Sequence, residues 1–295
     1  MPTGLTLSWA LRRRRKAVPL ILLAPVLPPR AMPERPIFVV GSPRSGTSLV
    51  FRLLRMAPGT TSIGTEGHAL WETFHHPRRR HWESNAVGPE DIGSVERRYI
   101  AWAVRLLAGP GRFVDKTPRN VLRIPYLEAL FPDASFVFVY RDGRAVVRSL
   151  YRNWERRKRV GRTPPFLLPP GFAVRDMPPR WWHFVLVPGW RDLNGRPLEE
   201  VCAAQYSRSV EAMLEAREPL GPERLVEVRY EDLVRDPASA VQAMFRPLAL
   251  HFDEEVAERV RRTVRPPRDR PSDVLGDERI LPLVRDVLAL TGYDA

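Results

Sequence analysis

The chain has 295 residues, 44% hydrophobic and 27% charged, and these values indicate a folded protein rather than a disordered one. Its formal net charge is +13, but it lacks the aromatic-interleaved basic motifs of nucleic-acid modules, so we expect no nucleic-acid partner. The single cysteine, Cys202, excludes an intramolecular disulfide.

Residues 1–34 combine a basic run, 12–16, with an apolar run, 17–27. This order imitates a signal peptide, but prolines interrupt the apolar run, which is also too short to span a bilayer. We therefore expect a mobile N-terminal extension followed by a single domain over residues 35–295. A cytoplasmic protein is the primary expectation, with membrane attachment or export as the minor alternative.

The next stretch predicts a strand, a glycine loop and a helix. Residues 37–40 are an unbroken apolar run, as in a strand buried on both faces, and apolar residues recur at helical spacing from residue 49. The loop 41–48 nearly matches the phosphate-loop pattern G-x-x-x-x-G-K-[ST], but Thr47 stands where a nucleoside triphosphatase needs lysine. Arg44 is the nearest cation. The pattern predicts a site for a phosphorylated group without a γ-phosphate, with an ordinary Gly/Ser turn as the alternative.

Further strands and helices alternate along the rest of the chain. This alternation indicates an α/β fold, with a phosphate-loop-type parallel β-sheet and helices on both faces in three α/β/α layers. In such sheets ligands bind beyond the carboxyl ends of the strands, so loops 41–48, 115–120 and 141–149 should meet at one site. The predicted strands are 112–118, 135–140 and 225–230, and the predicted helices are 95–108, 121–130, 144–154, 198–216, 237–248, 253–264 and 277–291.

Two stretches allow more than one interpretation. The histidines of residues 68–81 have no accompanying cysteine, and a solvated loop explains them better than a metal site, so we predict no metal. The segment of about 160–198 is rich in proline, tryptophan and phenylalanine. It is either a lid that lines an acceptor site or an insertion that packs against the domain.

Three motifs resemble those of the sulfotransferases that use 3′-phosphoadenosine 5′-phosphosulfate (PAPS). PRSGTSL, residues 43–49, resembles their 5′-phosphosulfate loop. FVFVYRDGRAVVRSL, residues 136–150, resembles their 3′-phosphate motif, and RYEDL with a later Asp-Pro, residues 229–237, resembles a third family segment. The resemblance covers about residues 36–160 and 200–250, and it implies the sulfotransferase fold with PAPS as co-substrate and no required metal.

Within that family the chain resembles the branch with arginine in the 5′ loop, which includes tyrosylprotein sulfotransferases and many bacterial enzymes. The motifs GTEG, residues 64–67, and VDKTP, residues 114–118, support this placement. The resemblance implies Glu66 as the general base, with His68 as its rival, and Arg44 and Lys116 as cations that stabilise the transferred sulfuryl group. The implied cofactor-binding residues are Arg44, Ser45, Gly46, Thr47, Ser48, Arg141, Ser149 and Tyr230, with Ser272 as a further hydroxyl.

Tyr230 is either an adenine-side contact or a core tyrosine.

Two other functions compete with sulfuryl transfer. A Mg²⁺-dependent phosphate-loop kinase would use Asp115 or Asp142 at a strand end as the metal ligand. A non-catalytic protein would only bind anions or sulfated glycans. For the transferase we expect a small-molecule, glycan or lipid hydroxyl as acceptor, because the aromatic segment can wall such a pocket.

Overall fold

A computed structural model describes residues 22–162, 166–265 and 275–293. Its centre is a five-stranded sheet in the order β2-β3-β1-β4-β7, and every neighbouring pair is parallel. A separate antiparallel pair joins β5 to β6. The strands are β1 (Ile37–Val40), β2 (Thr60–Thr61), β3 (Arg112–Asp115), β4 (Ser135–Tyr140), β5 (Phe166–Leu167), β6 (Trp181–Trp182) and β7 (Leu225–Arg229).

The described residues also form helices that lie before, between and after these strands. They are α1 (Thr47–Leu54), α2 (His68–His75), α3 (Ser94–Ala108), α4 (Ile124–Leu130), α5 (Gly143–Arg159), α6 (Leu198–Glu215), α7 (Arg217–Arg224), α8 (Tyr230–Arg235), α9 (Pro237–Phe245), α10 (Glu254–Thr263) and α11 (Asp277–Leu290).

The side chains of β1 alternate between two hydrophobic cores, one on each face of the sheet. Ile37 and Val39 pack with apolar residues of α1, α9 and α10. Phe38 and Val40 pack with those of α2 to α6 and of α11. Successive residues of a strand point to opposite faces, so each face needs its own helical cover. The predicted three-layer α/β/α domain with a parallel sheet is confirmed.

The position of β1 determines where the site forms. In the register of the sheet, Ile37 pairs with Val114 of β3 on one side and with Ser135 of β4 on the other. The loops that leave the carboxyl ends of these three strands are therefore neighbours. The prediction that loops 41–48, 115–120 and 141–149 meet is confirmed, because residues of the first two line one cleft and the third contacts the first through hydrogen bonds described below.

Some element boundaries differ from the prediction. The single helix expected over 121–130 is a 3-10 turn at Pro118–Leu122 followed by α4, whose first turn contains Pro125. Proline has no N–H and fits only the first turn of a helix, so one continuous helix is excluded. Tyr230, expected at the end of a strand, begins α8 instead. The short strand β2 and the helix α7 were not predicted, and Gly221 interrupts α7 with φ 67°.

Part of the predicted N-terminal extension packs against the domain. Ala24 is fully buried, and Trp102 Nε1 donates a hydrogen bond of 3.1 Å to the carbonyl of Pro28. Arg30 lies 4.7 Å from the centre of the Trp102 ring. These contacts differ from the expectation of a mobile segment over residues 22–34, whereas the basic run 12–16 lies outside the described residues. Within the described ranges, no helix is long and apolar enough to cross a membrane.

The aromatic segment that follows α5 serves mostly for packing. Phe166, Phe172, Trp182 and Trp190 are buried in the larger core, and the Phe172 and Trp190 rings are 5.0 Å apart. This observation supports the packing interpretation for most of the segment. The lining interpretation holds for residues 183–184, which border the cleft described next.

Candidate active site

The loop between β1 and α1 has backbone conformations that let it pass close to neighbouring parts of the fold. Arg44 and Gly46 have φ of 77° and 104°. A Cβ atom on Gly41 would lie 2.8 Å from Val139 O, and one on Gly46 would lie 2.4 Å from the Tyr230 ring, so neither position accepts a side chain. The loop ends at the N-terminus of α1, where Ser48 is exposed. Backbone N–H groups at such a terminus bind anions.

The residues predicted to bind the 3′-phosphate lie directly against this loop. Arg44 Nε donates to Ser149 Oγ at 3.1 Å, although the two residues are far apart in sequence. Arg141 Nη1 donates to the carbonyl of Arg44 at 3.2 Å, and its guanidinium carbon lies 4.3 Å from the centre of the Tyr230 ring. The Tyr230 ring also lies so close to Gly46 that a Cβ atom there would be 2.4 Å from it. The 5′ and 3′ motifs of the sequence therefore form one continuous surface.

Glu66 and Lys116 form an ion pair on the other side of the loop. Lys116 Nζ donates to Glu66 Oε1 at 2.5 Å. His68 Nε2 lies 3.1 Å from the second oxygen, Oε2. Glu66 precedes α2 and Lys116 follows β3, so the fold rather than local sequence brings them together.

The electrostatic environment affects these groups in opposite directions. Burial raises the pKa of Glu66, but hydrogen bonds from His68 and Lys116 outweigh burial and hold the pKa at about 2. Burial lowers the pKa of His68, but the hydrogen bond to Glu66 and the nearby Glu72 carboxylate outweigh it and raise the pKa above the ordinary value. The neighbouring carboxylates therefore favour the protonated form of the ring.

A second, deeper ion pair supports His68 from behind, and sequence reasoning missed it. Arg119 Nη1 donates to both oxygens of Glu72 at 2.5 and 2.6 Å, and Arg123 Nη2 lies 3.7 Å from Oε1 of the same carboxylate. Glu72 Oε1 is also 3.6 Å from His68 Nδ1. The spacing of four residues between His68 and Glu72 on a predicted helix was the available signal.

Asp115, at the end of β3, is buried and anchors the loop that carries Glu66. Its carboxylate accepts hydrogen bonds from Trp71 Nε1 at 3.1 Å and Asn120 Nδ2 at 3.0 Å. Thr117 Oγ1 donates to it at 3.3 Å and accepts from the backbone N–H of Gly67 at 2.7 Å. Burial is the largest influence on Asp115 and raises its pKa to about 6.

These contacts weaken the kinase alternative. Protein donors already occupy both oxygens of Asp115. Asp142, the other strand-end acid, caps α5 by accepting from the N–H of Arg144 at 2.8 Å and also binds the Arg144 guanidinium. Both candidate metal ligands are thus engaged by donors of the protein, which disfavours them as ligands of a metal ion.

A cleft of about 670 Å³ joins the loop to the Glu66–Lys116 pair. His183 and Phe184 of the aromatic segment border it, with His76 and Arg119. His183 is buried and donates or accepts at 2.9 Å with Asn153, and burial lowers its pKa to about 3, so it is neutral at physiological pH. The cleft thus combines charged side chains with aromatic and imidazole rings.

The structure brings together all the predicted site residues that it describes. Arg44, Thr47, Ser48, Glu66 and Lys116 line the cleft, and Arg141, Ser149 and Tyr230 adjoin its loop. Ser45 Oγ is buried in the loop and has no hydrogen-bond partner among the described residues. Ser272 lies outside the described residues.

The histidines of residues 68–81 have separate roles. His75 is buried and lies 2.8 Å from Glu96 Oε1, so it is not part of the expected solvated loop. His76 accepts from the backbone N–H of Arg78 at 3.1 Å. In the part of the chain that the structure describes, no group of three or more His, Cys, Asp or Glu side chains is arranged to hold a metal ion.

Comparison with known proteins agrees with this arrangement. A phosphate-loop-like turn, a separate 3′-phosphate motif and a strand-end lysine on a parallel α/β/α sheet define a nucleotide-using transferase. The chain matches the sulfotransferase family over residues 36–165 and 174–254, and it belongs to that family. The resemblance predicted from the three motifs is confirmed.

Individual relatives are distant. The chain is 24% identical over 233 residues to protein-tyrosine sulfotransferase A of Caenorhabditis elegans, a match that covers 75% of this chain and 51% of the relative. It is 25% identical over 228 residues to protein-tyrosine sulfotransferase 2 of Gallus gallus, covering 75% and 52%. The chain therefore spans about half the length of the curated relatives it matches.

Among solved structures, the sulfotransferase STF9 from Mycobacterium avium superposes with a TM-score of 0.56. The sequence identity is 18%, and the match covers 97% of this chain and 86% of that one. This likeness supports the fold assignment and carries no information on the acceptor.

Proposed function

We propose that the protein transfers a sulfuryl group from PAPS to an acceptor hydroxyl. The main observation behind this proposal is that the two cofactor motifs contact each other. Arg44 donates a hydrogen bond to Ser149, and Arg141 donates one to the carbonyl of Arg44. A site that binds both the 5′ and the 3′ ends of an adenine nucleotide distinguishes PAPS from ATP. Family membership supports the same reaction.

The loop residues suit such a ligand. Gly41 and Gly46 let the loop pass close to Val139 and Tyr230, and the buried Ser45 Oγ lacks a partner among the described residues. The backbone of 45–48, with Thr47 and Ser48, would hold the 5′-phosphate. Arg141 and Ser149 would hold the 3′-phosphate, and Tyr230, already stacked on Arg141, would support the adenine side.

Sulfuryl transfer resembles phosphoryl transfer, with a loose in-line transition state and negative charge on the peripheral and leaving oxygens. Positioning and electrostatic stabilisation therefore account for most of the catalysis. Arg44 and Lys116, which line the cleft, would stabilise this charge, and Glu66 would be the base that accepts the hydroxyl proton. These side chains supply the required charges without a metal ion.

The cleft supports a proposal for the acceptor class. Phe184 and His76 line it, and a cleft of about 670 Å³ suits a small molecule or the end of a larger one. We propose a hydroxyl on a small molecule, a glycan or a lipid. Because the relatives are named protein-tyrosine sulfotransferases, a tyrosine hydroxyl of a protein is the second candidate acceptor.

The test compares nucleotides by thermal shift and by calorimetric titration. We expect 3′-phosphoadenosine 5′-phosphate (PAP) to stabilise the wild type more than ADP or ATP with Mg²⁺, and Arg141→Ala to abolish that preference. Arg235→Ala is the matched control, since Arg235 is an exposed arginine on α8 that pairs with Asp232 of the same helix. Stronger stabilisation by ATP with Mg²⁺ would contradict the proposal and favour a kinase.

An acceptor screen with labelled PAPS follows. Transfer of label to a hydroxyl compound would complete the assignment. Binding of PAP without transfer to any of the four acceptor classes, small molecules, glycans, lipids and tyrosine peptides, would support a non-catalytic anion-binding protein instead.

A further inference from the structure

Glu66 by itself is a weak base in this environment. Its two oxygens bind Lys116 and His68, and these contacts hold its pKa at about 2. A general base is most effective when its pKa lies near the working pH. A proton that Glu66 takes from an acceptor hydroxyl therefore needs a second group to receive it.

His68 lies in the position to receive that proton. Its Nε2 is 3.1 Å from Glu66 Oε2, and its Nδ1 is 3.6 Å from Glu72 Oε1. The ring lines the cleft, and about a third of its side chain is exposed, whereas its Nδ1 atom is buried without a hydrogen-bond partner among the described residues. An imidazole can carry a proton on either nitrogen, and this allows it to pass protons between neighbours.

Glu72 is fixed behind the ring. Arg119 binds both of its oxygens and Arg123 lies nearby, so the carboxylate cannot rotate away from His68. The neighbouring His68 ring, together with the two guanidinium groups, keeps the pKa of Glu72 at about 2, against the effect of burial. A permanent negative charge on this side favours the neutral tautomer with its proton on Nδ1, which leaves Nε2 open toward Glu66.

We propose that His68 is a positioning residue that holds the Glu66 carboxylate and receives from it the proton of the acceptor hydroxyl. The inference rests on the sulfuryl transfer proposed above. The acceptor O–H bond breaks and an O–S bond forms, while the bond between sulfur and the 5′-phosphate oxygen breaks. The proton passes to Glu66, then to His68 Nε2, and finally to solvent, so the products are a sulfate ester, PAP and a proton.

The pair acts as a base with the proton affinity of His68 rather than that of Glu66. In the active form of the pair, His68 is neutral and Glu66 is a carboxylate. When the pair takes up the proton of the acceptor hydroxyl, His68 becomes an imidazolium again. The charged groups that face His68 are Glu66, Glu72, Arg119 and Asp115, with Lys116 acting through Glu66. Because the pKa of His68 is raised above its ordinary value of 6.5, we expect the pair to become active above about pH 6.5.

The experiment measures kcat/KM from pH 5.5 to 9 for the wild type and for His68→Gln. In the wild type, kcat/KM should fall about tenfold per pH unit below the pKa of His68. His68→Gln retains a hydrogen-bond donor toward Glu66 but carries no proton, so we expect a loss of about 10²-fold or more and disappearance of this limb. The control is His251→Gln, which removes an exposed histidine paired with Asp253.

Two further variants identify the group whose titration produces the limb. Glu72→Gln removes a group that raises the pKa of His68, so the limb should move to lower pH. Asp115→Asn should keep the wild-type limb, although the pKa of Asp115 is about 6. An unchanged limb in both His68→Gln and Glu72→Gln, or its loss in Asp115→Asn, would overturn the inference.

Titration with PAP tests each variant for an intact site. A wild type that neither binds PAP nor transfers sulfuryl would overturn the proposed function together with this inference. A wild type that transfers sulfuryl, with a pH profile that His68→Gln does not change, would overturn only the role of His68.

Discussion

Lys116 and Glu66, fifty residues apart in the chain, are joined by a hydrogen bond of 2.5 Å between Nζ and Oε1. This contact links the proposed base to a proposed catalytic cation before any ligand arrives. Negative charge that enters the cleft competes with Glu66 for the ammonium group. We therefore expect a bound cofactor to weaken the ion pair between Lys116 and Glu66.

Lys116→Ala should reduce kcat on the order of 10²–10³-fold, because a fixed cation is lost from the transition state. PAP affinity should change much less, since the loop and the 3′-phosphate residues stay in place. Steady-state kinetics with labelled PAPS measure both effects. Lys158→Ala, at an exposed lysine near the end of α5, is the control. An unchanged kcat in Lys116→Ala would remove this residue from the mechanism.

Ser149→Ala should weaken PAP binding more than ADP binding. The hydroxyl bonds Arg44 across the loop, and it is proposed to contact the 3′-phosphate that ADP lacks. Loss of a hydrogen bond to a charged group costs about 1.5–3 kcal/mol, or roughly ten- to a hundredfold in affinity. Calorimetric titration with both nucleotides measures the difference, and Ser207→Ala on α6 is the control. Equal weakening for PAP and ADP would place Ser149 away from the 3′-phosphate.

Gly46→Ala should abolish tight PAP binding. The new methyl group would lie 2.4 Å from the Tyr230 ring, at a backbone φ of 104°. Tyr230 would have to move, and Arg141 stacks on it. Gly59→Ala is the matched control, because Gly59 also has a positive φ, 77°, but faces open space. We expect both variants to lose about 1–2 kcal/mol of stability from the strained backbone. Only Gly46→Ala should lose PAP affinity. If Gly46→Ala keeps its affinity, the loop can rearrange to accommodate the methyl group.

Glu72→Gln should destabilise the fold by about 3 kcal/mol at neutral pH, because it leaves the Arg119 and Arg123 guanidinium groups without their buried carboxylate. The pKa of Glu72 is held at about 2, below its ordinary value of 4.5. Its stabilising effect is therefore complete above about pH 4.5 and is lost as the pH falls toward 2.

Urea unfolding of the wild type and of Glu72→Gln at several pH values checks this expectation. The difference between their free energies of unfolding should shrink as the pH falls from 5 to 3. Glu254→Gln, at an exposed surface pair, should show little difference at any pH. A difference between wild type and Glu72→Gln that does not change with pH would show that packing rather than charge is lost.

The sequence allowed prediction of the parallel sheet and of the three loops that meet at the site. The apolar strands and the glycine loop are local patterns, so a window of a few residues reveals them. The resemblance added the roles of Glu66 and Lys116. In contrast, Arg119 and Glu72 are 47 residues apart, and nothing near either one indicates the other. The anchoring of Gly67 by Asp115 through Thr117 was equally invisible, because it depends on how α2 packs on β3.

Two errors in the predicted boundaries of helices and strands also arise because local patterns do not show tertiary contacts. Pro125 is visible in the sequence, but the apolar pattern continues on both sides of it and predicts one helix where the structure has a turn and a helix. The apolar run before Tyr230 predicts that this residue ends β7, but it turns into α8 and places its ring over Gly46. Its position reflects a tertiary contact with the loop rather than strand propensity.

Phe184 points to a practical route for changing what the protein accepts. Its neighbours His183 and Val185 are buried, and the aromatic segment around them is part of the larger core. Replacing those residues would endanger folding, whereas Phe184 is only half-buried and faces the cleft. A library confined to position 184 would therefore explore new acceptors with less risk to folding than one at its buried neighbours.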